Sequence, residues 1–482
     1  MYRLKPIKMI DEDLLPRSFF EDQIAKGIAY GAIQKIMKNR FTLLKLPVGY
    51  GKTVISMLVI KALAKLNQNH YQIMVLAPKA KRLDKSFDKA IRSVETYYNI
   101  YFKHIPINGE KIGTFSGLNK MISNKPDMFL TFMNELKGKN TLLILDETHM
   151  QLRDATSKAN RNFRKIFKEI EKSGGTLKIL GLTATPFDKS ILDTVGYLVI
   201  NGAYSSRTDF YKKEIKGYDS SYSRGISQVD IDNMIVDSQY RIHKEMFYDI
   251  KGVIEKLKQF IYAPKAPRTF HVPQNIFEVV PVELTVEKQK RIDRIKKMEK
   301  QKAYPDYASK VTDYTKAITE DKNILDYVIS LVKDPNNKQA IIFYQRNDTL
   351  YSLKKVFEEN NLKYLEVNGH NQSYFKVNDT ESTIFVQYLS GAVAFESKTS
   401  NLSIYIDLPA SSINFEQSLG RNARRGQNID IVKNYILTPM LANKVEIDYY
   451  KDIYNRIVNK THWNKEFEKN FLTPWGKFNE NA

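Results

Sequence analysis

Leu46-Pro47-Val48-Gly49-Tyr50-Gly51-Lys52-Thr53 is the stretch on which the reading of this chain turns. It follows an apolar run, Phe41 to Leu46, with the character of a buried strand, and precedes Val54 to Ile60, which opens as a buried helix. Strand, glycine loop, Gly-Lys-Thr and helix together form a phosphate-cradling arrangement. Gly49 and Gly51 let the backbone wrap closely around an anion, and N–H groups at the helix start point at the phosphates. Lys52 is expected to reach the β- and γ-phosphates, and the Thr53 hydroxyl to hold Mg²⁺. The full pattern has glycine where this chain has Leu46, and the competing reading is a chance Gly-Lys-Thr at an ordinary strand–helix turn.

Composition sets the setting for that loop. The chain has 482 residues, enough for about three domains. Its 75 Lys and Arg against 54 Asp and Glu give a formal charge of +21, which favours polyanionic partners, nucleic acid above all. A solubilising surface is the alternative use of the same charge. Cysteine is absent, so disulfides and thiolate metal sites are excluded and a reducing cytosol is compatible. Met1 to Pro6 lacks the apolar core of a signal peptide, and no apolar run is long enough to span a bilayer. A soluble, cytoplasmic protein without a membrane partner is expected.

Outward from the loop, Gln23 stands just before the phosphate-binding unit, where a side-chain amide makes two hydrogen bonds to an adenine edge, with Phe20 as a stacking surface. An exposed helix-start glutamine is the alternative. Ile73 to Pro78 reads as a second buried strand, and Lys79, Lys81 and Arg82 follow at its carboxyl end, where α/β sheets bind ligands. Thr114 lies in a polar loop of small residues. Thr141 to Leu145 is a third strand and delivers Asp146-Glu147-Thr148-His149. Adjacent carboxylates there are costly unless a cation or a reaction needs them. Asp146 suits Mg²⁺, Glu147 suits orientation of an attacking water, and a helix cap by Asp146 is the alternative. His149 is placed to sense a γ-phosphate. Lys178 to Leu182 is a fourth strand, ending in Thr183-Ala184-Thr185-Pro186, whose two hydroxyls suit a relay.

Residues 188–275 mix glycine, tyrosine and charge, broken by Pro264, Pro267 and Pro273, and read as a helical insertion and linker. Phe277 to Leu284 alternates like a strand, and a basic helix, Lys288 to Lys302, follows with Ile292, Ile295 and Met298 on one face. Strands at 340–344, 383–387 and 403–407, with helices between them, make a second α/β unit with a parallel sheet and no phosphate loop. On a helix, Gln417, Gly420, Arg421 and Arg424 share one face, suited to reach a γ-phosphate. A solvated basic helix is the alternative. The tail 441–482 is expected to pack as helices on the second unit.

Taken together, these stretches resemble superfamily 2 helicases and translocases. Gly49-Tyr50-Gly51-Lys52-Thr53 looks like motif I and Asp146-Glu147-Thr148-His149 like motif II. Thr183-Ala184-Thr185-Pro186 is similar to motif III, and Gln417-x-x-Gly420-Arg421-x-x-Arg424 to motif VI. Thr-Ala-Thr-Pro and the DExH-like box resemble strand-separating and RNA helicases. Phe415-Glu416-Gln417 and Arg424-Arg425-Gly426-Gln427 look like Swi/Snf-type duplex-DNA translocases, and the mixture is similar to phage and viral helicases. Gln387 to Glu396 is similar to motif V, with Ala394 and Glu396 standing where the family has Gly and Asn or Asp.

The resemblance implies an α/β fold of two tandem RecA-like parallel-sheet lobes: lobe 1 at 1–205, a helical insertion at 206–275, lobe 2 at 276–440 and a helical extension at 441–482. It implies ATP as substrate, with Lys52, Glu147, Gln417, Arg421 and Arg424 in catalysis, and Gln23, Gly49, Tyr50, Gly51, Lys52 and Thr53 binding the nucleotide. Thr53 and Asp146 would hold Mg²⁺, while His149, Thr183 and Thr185 couple the site to its surroundings. Lys79, Lys81, Arg82, Thr114, Arg346, Ser390 and Gly391 would grip nucleic acid, with DNA favoured, duplex or branched, and RNA the alternative. An ATP-gated binding clamp is the rival function.

Overall fold

A computed structural model describes residues 14–66, 71–79, 82, 85–187, 191–218, 231, 234–235, 243–265, 271–304, 307–370, 381–388, 397, 399–409, 411–423, 427, 429–457 and 469–473. The chain forms two compact units, Met1–Thr269 with His462–Ala482, and Phe270–Thr461. Both are α/β units built on largely parallel sheets.

Six strands of the first unit are β1 (Phe41–Lys45), β2 (Gln72–Leu76), β3 (Ile112–Gly113), β4 (Asn140–Leu145), β5 (Thr176–Thr183) and β6 (Ile261–Pro264). They lie in the order β6-β1-β5-β4-β2-β3, and every pairing is parallel. Parallel neighbours cannot be joined by a hairpin, so each connection is a crossover through helix. Lys52–Leu66 leads from β1 to β2, Ser86–Tyr98 from β2 to β3, and Lys158–Lys172 from β4 to β5. Helices on the sheet explain why Leu43, Leu143, Leu145 and Ile179 are wholly buried and why the strands read as unbroken apolar runs. The alignment of Leu43 with Gly181 and of Leu143 with Ile179 brings the carboxyl ends of β1, β5 and β4 to one edge.

The span expected as an insertion at 206–275 is divided differently. Phe210, Val253, Leu257 and Phe260 are buried in the first unit's core, and β6 pairs with β1. Phe41 stacks on Tyr197 at 5.7 Å and meets Phe260 at 5.7 Å, so this segment closes one flank of the first sheet. Burying aromatic and branched side chains contributes about 1.5–3 kcal/mol each, and a mobile linker would forgo it. The unit boundary falls at 269/270 rather than 275/276.

The second unit contains β7 (Gln274–Glu283), β8 (Ala340–Tyr344), β9 (Tyr364–Val367), β10 (Thr383–Gln387), β11 (Leu402–Tyr405), β12 (Ile431–Leu441) and β13 (Val445–Glu446). The order is β13-β12-β11-β8-β10-β9, with β7 beside β12, and among the described residues the β12–β13 pair alone is antiparallel. Ile341, Phe343, Phe357, Phe385 and Ile404 are fully buried at its centre. β7 runs parallel to β12 along its whole length, yet Ile276, Phe277 and Val279 are exposed on both of its faces, so its sequence alternation does not translate into one buried side. In the helix Val286–Lys300, Ile292 and Ile295 are buried, but Met298 is exposed. Lys288 pairs with Glu320 at 3.1 Å and Arg291 with the same carboxylate at 3.5 Å, so part of its basic face is spent on internal contacts.

The tail also departs from expectation. The helix Asp448–Ile457 packs on the second unit through Tyr450, Ile453 and Ile457, whereas β14 (Leu472–Thr473) pairs with β6 and Phe471 packs against Phe187 in the first. Among the described residues of the tail, Asp448–Ile457 is the helix that packs on the second unit. No helix among the described residues is long and apolar enough to cross a membrane.

Candidate nucleotide site

The glycine loop grows directly out of β1. Leu46 N–H donates to the Thr183 carbonyl at 3.0 Å, which ties the loop's entry to the end of β5. Gly49 has φ 79° and Gly51 has φ 81°, in the left-handed region where a side chain is strained, so glycine is the residue this turn demands. The turn closes as Tyr50 N–H donates to the Pro47 carbonyl at 3.3 Å. The first helical bond runs from Ile55 N–H to the Gly51 carbonyl at 3.0 Å, so the N–H groups of Lys52, Thr53 and Val54 precede the helix's own ladder. Tyr50 is buried, Lys52 and Thr53 half-buried, and Gly51 faces open space.

Two strand spacings away, about 10 Å, the end of β4 presents the acidic pair. Asp146 N–H still bonds the Leu76 carbonyl at 2.9 Å, as a continuation of the sheet. The next residue, Glu147, turns to φ 46°, a left-handed conformation that costs about 1–3 kcal/mol for a side-chain-bearing residue and persists only where neighbours impose it. Thr148 imposes it here. Its N–H donates to the Leu182 carbonyl at 3.1 Å and its hydroxyl to the Leu145 carbonyl at 2.9 Å. Gly181 makes room for that hydroxyl, since a Cβ there would lie 2.7 Å from Thr148 Oγ1.

Thr183 joins the parts. Its carbonyl holds the loop at Leu46, and its hydroxyl meets His149 Nδ1 at 2.9 Å and accepts from Thr185 N–H at 3.1 Å. His149 Nδ1 also lies 3.4 Å from Glu147 Oε2. Asp146, Glu147, His149, Thr183 and Thr185 are all buried, and Thr185 Oγ1 has no partner among the described residues. Thr148 and Gly181 carry no role in the sequence reading; the signal for them lay in the third residue of Asp-Glu-Thr-His and the small residue inside β5.

The donor set suits a magnesium triphosphate. The Thr53 hydroxyl and the Asp146 carboxylate are hard oxygen ligands, and no cluster of three or more metal-ligating side chains occurs among the described residues. Mg²⁺ ordinarily takes one or two protein oxygens and completes its shell with phosphate and water.

Other expected site residues are placed less uniformly. Gln23 is the exposed first residue of the helix Gln23–Lys38, capped by Asp22, which accepts from Ala25 N–H at 2.9 Å. Phe20 is fully buried with its ring edge-on to Tyr97, so it belongs to the core and offers no stacking surface. Lys79 is exposed, and Arg82 pairs with Glu110 at 3.0 Å. Thr114 caps the helix Phe115–Asn124 by accepting from Gly117 N–H at 3.0 Å. Arg346 precedes the helix Asn347–Glu359, and its Nε is buried with no partner among the described residues.

Of the helix face expected for Gln417, Gly420, Arg421 and Arg424, only Gln417 lies within a helix among the described residues. The helix is Ser412–Leu419, and Gly420 ends it, donating to the Gln417 carbonyl at 3.3 Å. Arg421 lies in the turn beyond, is 2% exposed, and donates from Nε to the Gln417 carbonyl at 3.0 Å. Lys81, Ser390, Gly391, Arg424 and the motif V-like residues 389–396 lie outside the described residues.

Residues 27–194 match the DEAD/DEAH box helicase family model. The first unit is similar to a helicase domain. The matched span takes in the glycine loop, the acidic pair and the Thr-Ala-Thr-Pro turn, and none of the second unit. Curated proteins offer no match to the chain. Among solved structures, it is similar to the SWI2/SNF2 ATPase core of Sulfolobus solfataricus in complex with dsDNA. The two share 15% identity over 86% of each chain, with a TM-score of 0.34.

Proposed function

We propose that this protein is an ATP-dependent nucleic-acid motor of the superfamily 2 helicase and translocase type. The observation that carries the reading is the Thr183 junction: one residue at the end of β5 is bonded both to the glycine loop's strand and to the acidic turn. In this reading Lys52 and the N–H groups at the start of its helix bind the β- and γ-phosphates, with Gln23 at the adenine and Tyr50 lining the loop. Thr53 and Asp146 hold Mg²⁺, which supplies charge neutralisation at the phosphates when bound. Glu147, held in its left-handed turn by Thr148, orients the attacking water. His149 and Thr183 report the state of Glu147 to Thr185 and the turn that follows.

In the same reading Gln417, Arg421 and Arg424 take part in hydrolysis, and nucleic acid is gripped through Lys79, Lys81, Arg82, Thr114, Arg346, Ser390 and Gly391. DNA, duplex or branched, is the favoured polymer. The excess of 21 positive charges supports a phosphate-backbone partner, and contacts to phosphates carry little base specificity.

The test is ATP hydrolysis without polymer and with duplex DNA, single-stranded DNA or RNA. Stimulation by a polymer, with binding that weakens as salt rises, is expected. Glu147→Gln should retain nucleotide binding and lose about 10²–10⁴ in turnover. A rate indifferent to every polymer, or near-normal turnover in the folded Glu147→Gln variant, overturns the reading.

A further inference from the structure

The helix Val195–Asn201 belongs to the first unit and lies outside every helicase-like motif of the chain, yet it is bonded to three parts of the nucleotide edge. The first is the chain that follows the acidic pair. Gly196 N–H donates to the Arg153 carbonyl at 2.9 Å, just past the short helix His149–Leu152. A Cβ on Gly196 would lie 1.9 Å from the Leu152 carbonyl oxygen, so only glycine admits this approach. Asn160, wholly buried, clasps the two: its Nδ2 donates to the Leu152 carbonyl at 3.2 Å and to the Gly196 carbonyl at 3.0 Å.

The second part is the Thr-Ala-Thr-Pro turn. Tyr197 is fully buried, and its hydroxyl donates to the carbonyl of Pro186, the last residue of that turn, at 3.2 Å. The third is the root of β1. The Tyr197 ring stacks on Phe41 with 16° between the planes. Farther along the helix, the Ile200 carbonyl accepts from Arg40 Nε at 2.8 Å and Asn201 Oδ1 from Phe41 N–H at 3.3 Å. One short helix therefore sets the exit of the acidic turn, the end of the Thr183–Pro186 turn and the strand of the glycine loop against one another.

Within this brace the Tyr197 hydroxyl is the group that reaches the turn. The ring's packing on Phe41 would be served equally by phenylalanine, whereas a buried hydroxyl is costly unless it is bonded. The residue before Pro186 is the complement: Thr185 Oγ1 is buried with no partner among the described residues. A turn pinned at its last residue, with an unsatisfied hydroxyl one position earlier, can change that hydroxyl's partner while its end stays fixed.

We propose that Tyr197 is a positioning residue. Through the Pro186 carbonyl it fixes the end of the turn, so that the state of Glu147, passed on by His149 and Thr183, moves Thr185 instead of displacing the turn as a whole. The inference rests on the motor reading above and adds to it a residue with no exposed surface to offer nucleotide or polymer.

Tyr197→Phe removes the hydroxyl and keeps the ring on Phe41. ATP turnover of the full-length protein is measured with and without the most stimulating polymer. The ratio of stimulated to unstimulated kcat should fall about fivefold, with unstimulated kcat and KM for ATP unchanged. Where the wild type is stimulated, an unchanged ratio overturns the proposal. Phe41→Leu is the counterpart, losing the stack and keeping the hydroxyl. It should lower the melting temperature and leave the ratio intact; an equal fall of the ratio would assign the effect to packing and overturn the role of the hydroxyl.

A second measurement needs no polymer. Hydrogen exchange of the segment 183–187 is followed with and without a non-hydrolysable ATP analogue. The analogue should change exchange there in the wild type and not in Tyr197→Phe. Equal changes in the two proteins, or none in either, overturn the proposal. A wild-type turnover indifferent to every polymer removes the motor reading alone, and the exchange comparison then judges Tyr197 by itself.

Discussion

The carboxyl edges of the two sheets are built alike and end in opposite chemistry. At the first, Gly49 and Gly51 take left-handed turns and the chain leaves β1 as an open loop over helix N–H groups. At the second, β11 leads to Asp407, which is 6% exposed and hydrogen-bonded through one carboxylate oxygen, while Oδ1 is buried with no partner among the described residues. Its Oδ2 accepts from Gln345 N–H and from the Thr349 hydroxyl, each at 3.3 Å, and Thr349 Oγ1 lies 3.2 Å from Thr319 Oγ1. Burial pushes the Asp407 carboxyl up to about 7, against the pull of its hydrogen bonds and of Arg346. The comparison shows that a parallel sheet supplies only the platform. What differs is the chain that leaves the strand: a loop turning at two glycines of positive φ in the first unit, a buried carboxylate in the second.

The largest effect expected from the second edge is on chemistry. If Arg421 serves hydrolysis, Arg421→Gln should reduce polymer-stimulated turnover by about a thousandfold or more, with nucleotide binding retained. Because the side chain is buried, melting must be measured alongside; a folded variant with near-normal turnover would make the second edge purely structural.

A smaller effect tests the Asp407 carboxyl through pH. The folded pKa of Asp407, about 7, lies above the ordinary 3.8, so the folded state binds the extra proton. Its contribution is therefore fully present below about pH 4 and is lost as pH rises to about 7, a change of at most a few kcal/mol. Asp407→Asn should remove that part of the slope, read as the difference between variant and wild-type denaturant midpoints at pH 5 and 7.5. Parallel profiles would show that the carboxyl is not desolvated.

The smallest change returns to the first edge. Gly181→Ala pushes a methyl against Thr148 Oγ1 and should cost about 1–3 kcal/mol, with turnover falling because Glu147 loses its support. Unaltered stability and turnover would mean that the acidic turn holds itself.

Much of the first edge was legible from residue order. Short apolar runs bounded by Gly, Pro or Asp marked β1, β2, β4 and β5, since strands buried on both faces need no polar alternation. Gly-Tyr-Gly-Lys-Thr announced its turn because few other residues tolerate those φ values. The support under Glu147 was not legible: Thr148 and Gly181 are 33 positions apart in the chain and meet only across neighbouring strands. Phe20 looked like a stacking surface because a helix-start aromatic reads the same whether it faces solvent or core. Arg421 seemed to continue the helix from Gln417, and that helix ends at Leu419, before Gly420.

Taken alone, the order of residues determined two α/β units, the parallel strands within them and the loop that turns on two glycines, because these depend on local backbone preference and on how much apolar side chain each segment must hide. Tertiary structure decided the rest. It set β6 and β14 into the first sheet, drove Phe20 and Arg421 inward, and used Thr183 to bind a loop and an acidic turn separated by about a hundred residues. Those outcomes depend on which surfaces come to cover one another, and that is a property of the packed chain rather than of any window along it.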